Sequence, residues 1–487
     1  MKNIRRLCFL SCLLSLLLSG CNAQDERAPA SKEAGDVAKP NFIIIFTDDQ
    51  GYADLSCFGS KKIETPQIDR MAREGLKLTS FMAASSICTP SRAALLTGSY
   101  PKRVGLHKGV LFPDSTTGLN PKEYTIAKHL KTQGYATGMF GKWHLGHLPE
   151  TLPTRHGFDE YFGIPYSNDM NVGREKTEGL RLLWDTNNEL LWTDQESAVT
   201  MWNTPLMEGE KVIELPVDQR TITRRYTERA IDFIRRNKDR PFFVYLPHSM
   251  PHVPLYVPED VYDPNPQNAY KNVIEHIDAE TGKLLDALRE MQLDENTYVI
   301  FTSDNGPWTY LGKYAGSTGP FRGHKGRTDE GGMRVPCVIW APGRIPANSE
   351  SNQLATTLDL LPTLAGLSGS PLPADLRHDG IDLSGFLENP SAGSPREEFL
   401  YYSKKGTVEA IRQGDWKFKR KIKHRKKGES KTKIPVYSNR LYDLSKDLGE
   451  EHNLAEENPE LVEALAKRME ELDAEITRNA RPVWEKP

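Results

Sequence analysis

Two continuous apolar runs, each ending in acidic residues, organise the first three hundred residues of the chain. Asn41-Phe42-Ile43-Ile44-Ile45-Phe46 does not alternate and is β-branched in its middle, the pattern of a strand buried on both faces of a parallel sheet; it runs into Thr47-Asp48-Asp49-Gln50-Gly51. Thr297-Tyr298-Val299-Ile300-Phe301 runs in the same way into Thr302-Ser303-Asp304-Asn305-Gly306. Further strands fit Ala136–Phe140, Phe242–Leu246 and Val335–Trp340. Between them lie helical stretches. One opens at Thr65-Pro66 with a cap and a first-turn proline and closes at Gly75; another runs from Thr125 to Gly134, and Ile222–Arg236 and Tyr270–Met291 are longer and amphipathic. This alternation predicts an α/β domain over 41–394, with a large, mostly parallel sheet flanked by helices and its chemistry beyond the carboxyl ends of the strands. From 395 onward short strand-like pieces (Phe399–Ser403, Val408–Arg412, Trp416–Arg420, Asn439–Asp443) precede one helix, Glu460–Arg478. They predict a small C-terminal antiparallel sheet with a helix over 395–487.

The first residues are different material. Lys2, Arg5 and Arg6 precede an apolar run from Leu7 to Leu18 that is too short to span a bilayer, and it ends in Leu18-Ser19-Gly20-Cys21. That string resembles the bacterial lipobox, so 1–21 is expected to be a lipoprotein signal peptide with lipid attached at Cys21. Asn22 fits sorting to the outer membrane, with export to the periplasm or cell surface. Residues 22–40 suit a flexible tether. With 38% hydrophobic and 26% charged residues the remainder is globular, and a net charge of -3 gives no reason to expect a nucleic-acid partner. Of six cysteines, Cys57, Cys88 and Cys337 remain in the body. A Cys57–Cys337 bridge is open, and Cys88 is the odd thiol.

Adjacent carboxylates at a strand end repel each other unless a cation neutralises them. Asp48, Asp49, Asp304 and Asn305 are hard oxygen ligands suited to Ca²⁺ or Mg²⁺, and two copies of the arrangement argue against ordinary turn residues. In Cys88-Thr89-Pro90-Ser91-Arg92, Thr89 reads as a helix cap and Pro90 as its first residue, which puts Cys88 just ahead of a helix N-terminus, where an oxyanion is favoured.

Cys-x-Pro-x-Arg followed by Ala-Ala-Leu-Leu-Thr-Gly resembles the signature of the formylglycine-dependent (type I) sulfatases, in their arylsulfatase-like branch, whose sheet is alkaline phosphatase-like. The likeness runs from Asp48-Asp49-Gln50-Gly51 to Leu441-Tyr442-Asp443-Leu444. It implies that a maturation enzyme oxidises Cys88 to formylglycine (3-oxoalanine). It also implies that Asp48, Asp49, Asp304 and Asn305 hold one Ca²⁺, with position 88 touching the metal. Gly141-Lys142-Trp143-His144-Leu145-Gly146 matches the second signature and supplies Lys142 and His144. Pro251-His252-Val253-Pro254 resembles the segment with the sulfate-contacting histidine, with His248 as the second choice, and Gly323-His324-Lys325-Gly326 the segment with the matching lysine. The roles implied are Arg92 and Lys142 holding the hydrate and the developing charge, His144 as base, and His252 or Lys325 assisting the leaving alcohol.

The expected activity is therefore release of sulfate from an organic sulfate ester, a sulfated small molecule or glycan. Two rivals stand against it: a phosphoryl-transfer enzyme of the alkaline phosphatase superfamily, and a non-catalytic glycan-binding lipoprotein. Ten Lys and Arg between Lys417 and Lys433 read as a solvated loop or as a steering patch for polysulfated glycan. Trp184, Trp192 and Trp202 sit in an irregular insertion, where they stack on sugars or pack.

Overall fold

The computed structural model describes residues 39–170, 192, 202–426 and 433–487. The leader with Cys21, Trp184 and the side chains of 421–437 in the basic run lie outside the described residues. Lys39 and Pro40, assigned to the tether from sequence, belong to the folded body: Lys39 Nζ donates to the Gln133 carbonyl at 3.0 Å and Tyr135 Oη to the Pro40 carbonyl at 2.8 Å.

Five parallel strands form the middle of the large sheet, in the spatial order β9 (Thr297–Ser303), β1 (Asn41–Thr47), β8 (Phe242–Pro247), β4 (Ala136–Phe140) and β5 (Glu160–Gly163). Every residue of β1 and β9 is buried, as their unbroken apolar runs require. Ile43 and Ile45 point to one face, against Tyr226 and Phe233 of helix Ile222–Asn237 and Val273 and Ile277 of helix Ala269–Glu290. Phe42, Ile44 and Phe46 point to the other, against Leu95 of helix Cys88–Thr97 and Leu361 of helix Leu360–Leu367. The period of two along a strand thus feeds two separate cores.

Beyond β9 the sheet turns mixed. β10 (Arg334–Trp340) runs antiparallel to β9, and β2 (Leu76–Met82) antiparallel to β10, so β2 again points the same way as β1. The reversal at β10 has a simple origin. The chain leaves β9 at the carboxyl edge, spends 304–333 on loops and short helical turns, and re-enters with no helix long enough to cross back. Ser349–Ser351 and Ala355–Thr356 add to β2, and Leu206–Glu208 and Lys211–Glu214 add antiparallel beyond β5.

The second sheet is antiparallel, four strands in sequence order: Glu398–Tyr402, Val408–Gln413, Trp416–Lys426 and Lys433–Asp443. Helix Pro459–Arg478 lays Val462, Leu465 and Met469 onto it. The described ends of the basic run thus lie in two paired strands, and its first member is no surface residue: the Lys417 side chain is 0% exposed, with Nζ 2.9 Å from Glu330 Oε1 and 3.0 Å from Glu450 Oε1. Lys419 pairs with Asp329. Trp192 and Trp202 are packing residues: both are buried, and their indole N–H groups donate to the Asp263 carbonyl (2.9 Å) and Tyr256 Oη (3.1 Å). Cys57 and Cys337 are both free thiols, so no bridge joins them.

Candidate active site

In-register pairing of Thr47 with Ser303 brings Asp48-Asp49 and Asp304-Asn305 out side by side at the carboxyl edge of β1 and β9. β8, the other neighbour of β1, leads into His248 and His252, and β4 beyond it into Lys142 and His144. Gly141 makes the turn from β4 at φ 143°, and a Cβ there would overlap the Pro247 carbonyl, to which Lys142 N donates at 2.7 Å. Asp48, Asp49, Asp304, Asn305, Lys142, His144 and His252 thus converge from four adjacent strand ends, where α/β sheets place their ligands.

Helix Cys88–Thr97 begins two residues earlier than expected, with Ile87 as its N-cap, and is buried over its whole length. Thr89 does not cap it. Its hydroxyl donates to the His144 carbonyl at 2.9 Å and accepts from Leu111 N at 3.2 Å, tying the nucleophile candidate to the second signature. Cys88 Sγ sits 3.4 Å from Asp48 Oδ1. Burial, with Asp304 and Asp48 beside it, raises the thiol well above its ordinary pKa. Reactive cysteines show the opposite environment, so an unmodified thiol here is a poor nucleophile.

Arg92 and Lys142 are engaged by the carboxylates. Arg92 Nη2 lies 2.8 Å from Asp304 Oδ2 and 3.1 Å from Asp48 Oδ2, its Nε also donates to Asp304, and Nη1 donates to the Lys142 carbonyl at 3.0 Å. Lys142 Nζ pairs with Asp48 and donates to Ser167 Oγ at 3.0 Å. Both cations thereby brace the carboxylates at the strand ends, Arg92 holding Asp48 and Asp304 and Lys142 holding Asp48. Burial pushes Asp48 upward, but Lys142 and Arg92 outweigh it and hold the group below the ordinary carboxylate range. Asp304 is instead pushed up to about 6, by burial and by the charge of Asp48. Three carboxylates, Asp48, Asp49 and Asp304, thus face three cations, Arg92, Lys142 and Lys325.

Across the pocket, Lys325 Nζ lies 2.7 Å from Asp49 Oδ2 and His252 Nε2 3.7 Å from the same oxygen. Between the two histidines the structure favours His252. His248 is fully buried with its Nδ1 unpartnered, its ring 6.5 Å from that of Tyr226. Burial drives His248 and His156 each down to about 3 and His276 to about 4. The unfolded chain therefore takes these protons first, near the ordinary histidine value of about 6.5. Stability from the neutral rings is whole above that pH and is lost progressively as pH falls toward 3. The thermal midpoint is expected to fall steadily between pH 6.5 and 4, and less steeply in His248→Asn; parallel curves for the two proteins would refute the assignment.

Asp49 and His144 adopt left-handed backbone conformations, φ 63° and 61°, which Asp and His tolerate better than most residues and which cluster at functional sites. His144 Nε2 faces the Leu111 carbonyl at 2.9 Å. A carbonyl can only accept, so Nε2 bears the hydrogen and the buried, unpartnered Nδ1 is a bare lone pair. Burial, Lys142 and Arg92 keep this ring neutral, well below its ordinary pKa.

The oxygen donors of Asp48, Asp49 and Asn305 fit a hard cation. Ligand atoms of Asp48, Asp49, Cys88 and His252 lie within 4.8 Å of one another, while Asp304 stands further back on Arg92. Asn305 Nδ2 donates to Asp49 Oδ1 (2.7 Å) and the Gly306 carbonyl (3.0 Å). Both are pure acceptors, which fixes the amide and leaves Asn305 Oδ1 buried without a partner, as a metal-facing oxygen would be. His252 as a member of this group was not foreseen; its approach depends on the path of 248–254, which no local pattern records.

The Sulfatase family model matches residues 40–370. Human arylsulfatase A is 37% identical over 458 residues, covering 90% of this chain and 88% of that protein. N-acetylgalactosamine-6-sulfatase of Canis lupus familiaris is 35% identical, covering 79% and 72%. Among solved structures, PsFucS1 sulfatase from Pseudoalteromonas sp. superposes with a TM-score of 0.76 at 27% identity, covering 92% of each chain. Ps i-CgsB in complex with k-i-k-neocarrahexaose does so with a TM-score of 0.72 at 29% identity, covering 91% and 94%. With the family pattern filled by side chains that meet at one sheet edge, the chain belongs to the sulfatase family.

Proposed function

We propose that this sulfatase releases inorganic sulfate from an organic sulfate ester, a sulfated glycan among the candidates, using formylglycine made from Cys88 and one bound Ca²⁺. The observation that carries the reading is the convergence of Cys88 with Asp48, Asp49 and Asn305 at the ends of β1 and β9. Asp48, Asp49, Asp304 and Asn305 would hold the cation, which supplies positive charge against a substrate that repels nucleophiles. Formylglycine at position 88 would supply a carbon able to carry two hydroxyls, and so a nucleophile together with a built-in means of release.

This chain's own side chains supply the rest. Arg92 and Lys142 hold Asp48 in place, and Arg92 holds Asp304, so that little reorganisation is needed as charge develops. Lys325 and His252, both on the Asp49 side, would give the leaving oxygen its proton; burial works against the charge on Lys325, but Asp49 and the other negative groups around it together outweigh that cost and keep it protonated. The bare Nδ1 of His144 is the acceptor for the proton of the second hydroxyl. Balanced over the cycle, one water is consumed, the C–O–S ester is cleaved at sulfur, and alcohol and hydrogen sulfate leave.

Assaying para-nitrophenyl sulfate beside para-nitrophenyl phosphate, before and after chelation, tests this reading. Sulfate release is expected to dominate, to fall at least about a hundredfold on removal of the divalent cation, in line with the worth of one electrostatic stabiliser, and to return with Ca²⁺. Preference for the phosphate ester would favour the phosphoryl-transfer rival.

A further inference from the structure

A second concavity opens beside the active site, between residues 322–329 and the small sheet. This cleft of about 320 Å³ is lined by Arg322, Arg327, Lys404, Lys405 and Arg440, against the carboxylates of Asp329 and Glu409. Both acids are already engaged: Asp329 pairs with Lys419, and Glu409 accepts from Thr328 Oγ1 at 2.7 Å. Among the described residues no carboxylate pairs with Arg322, Lys404, Lys405 or Arg440. Arg322 reaches only a backbone oxygen, that of Glu450, at 3.1 Å. Lys404 and Lys405 stand exposed on the tight turn closed by Gly406 N on the Ser403 carbonyl at 2.8 Å. Like charges gathered in a concave wall repel one another and focus a positive potential outward.

Two backbone contacts tie the walls of this cleft to loops of the catalytic pocket. Gly326 N donates to the Ser86 carbonyl at 2.8 Å, two residues ahead of Cys88. Gly109 N donates to the Lys404 carbonyl at 3.0 Å, two residues ahead of Leu111, whose carbonyl faces His144. The same two loops therefore wall both spaces. Lys325 faces Asp49 in one while Arg327 lines the other, at most about 7 Å along the backbone.

We propose that this cleft binds a second anionic group, a sulfate or a carboxylate, carried by the same glycan whose sulfate is cleaved, so that the enzyme acts on polyanionic glycans in preference to isolated monosulfates. The inference rests on the sulfatase reading of the Cys88 pocket. Guanidinium groups at Arg322 and Arg440 suit the paired oxygens of either anion; Arg327 is already paired with Asp329 at 3.5 Å, and the two lysines add charge at the mouth.

The test is inhibition and binding by a heparin hexasaccharide, measured on wild type, Lys404→Ala/Lys405→Ala and the charge-preserving Lys404→Arg/Lys405→Arg. The hexasaccharide is expected to inhibit para-nitrophenyl sulfate hydrolysis competitively, and calorimetry should show one site whose affinity falls about tenfold in the alanine pair. Affinity should recover in the arginine pair and weaken with added salt. Equal affinity in wild type and the alanine pair, or inhibition that is not competitive, would overturn the proposal. The desulfated hexasaccharide, which keeps its carboxylates, separates the two sources: undiminished binding assigns the cleft to carboxylate, lost binding to sulfate. Hexasaccharide binding without turnover of para-nitrophenyl sulfate would instead count against the reading of the Cys88 pocket and leave the cleft in place.

Discussion

Cys88→Ala is expected to lower sulfate release by roughly four orders of magnitude or more, the scale seen when a covalent nucleophile is removed, while the fold melts as before. The side chain is small and buried with one sulfur contact, to Asp48, so its truncation leaves no unpaired charge and only a small cavity. Loss of rate without loss of structure separates a chemical role from a packing one. The companion measurement is the mass of the tryptic peptide Leu78–Arg92 from protein made in its native host. There the cysteine is expected to have exchanged its sulfur for an aldehyde oxygen. An intact thiol in that peptide, or full turnover by the alanine variant, would place the nucleophile elsewhere.

Lys417→Met should be the most damaging substitution outside the pocket. Methionine matches the length of the lysine stem but leaves Glu330 and Glu450 without the ammonium that bridges them at 2.9 and 3.0 Å. Glu330 would keep only the more distant Arg334 and Arg412, at 3.6 and 3.9 Å, and the Tyr401 hydroxyl at 2.7 Å. Breaking one side of a buried ion pair typically costs about 3–5 kcal/mol, to be read as a fall in thermal midpoint. Adding Glu330→Gln should cost less than the sum of the single changes, since the second removes a charge already orphaned. A melt superimposable on wild type would show that the pair contributes nothing.

That lysine also marks where reading the chain alone stops. The strand-end acids were legible because burial and chemistry lie in one continuous stretch: an apolar run says where the strand is, and the residues after it say what stands at its end. Cys88, Arg92, Lys142 and His144 were legible through their signatures, and all reach the same edge. Lys417 was not, because its burial is decided by Glu330, 87 residues away, and a lysine in a basic run looks solvated. β2 escaped notice although Leu76 and Leu78 alternate with half-buried Lys77 and Thr79, since its sheet position follows from β10. The antiparallel course of β10 depends in turn on the length of the site loop before it. His252 was chosen over His248 by likeness; only the three-dimensional path shows one beside Asp49 and the other sealed in the core.

The two sheets are separate in hydrogen bonding but not in their apolar interior. Met82, Ala84 and Ala94, all close to the nucleophile, share one buried cluster with Phe399, Tyr401, Ile411 and Leu465 of the small sheet and its helix. A change of strand geometry near residue 395 is therefore not a seam along which the protein can be cut. Ending the chain there would strip the floor from beneath the helix that carries Cys88, and the shortened protein would expose an oily face where the longer one has an enzyme. Recombining such sheets between relatives to exchange specificity would have to carry both sides of that cluster together.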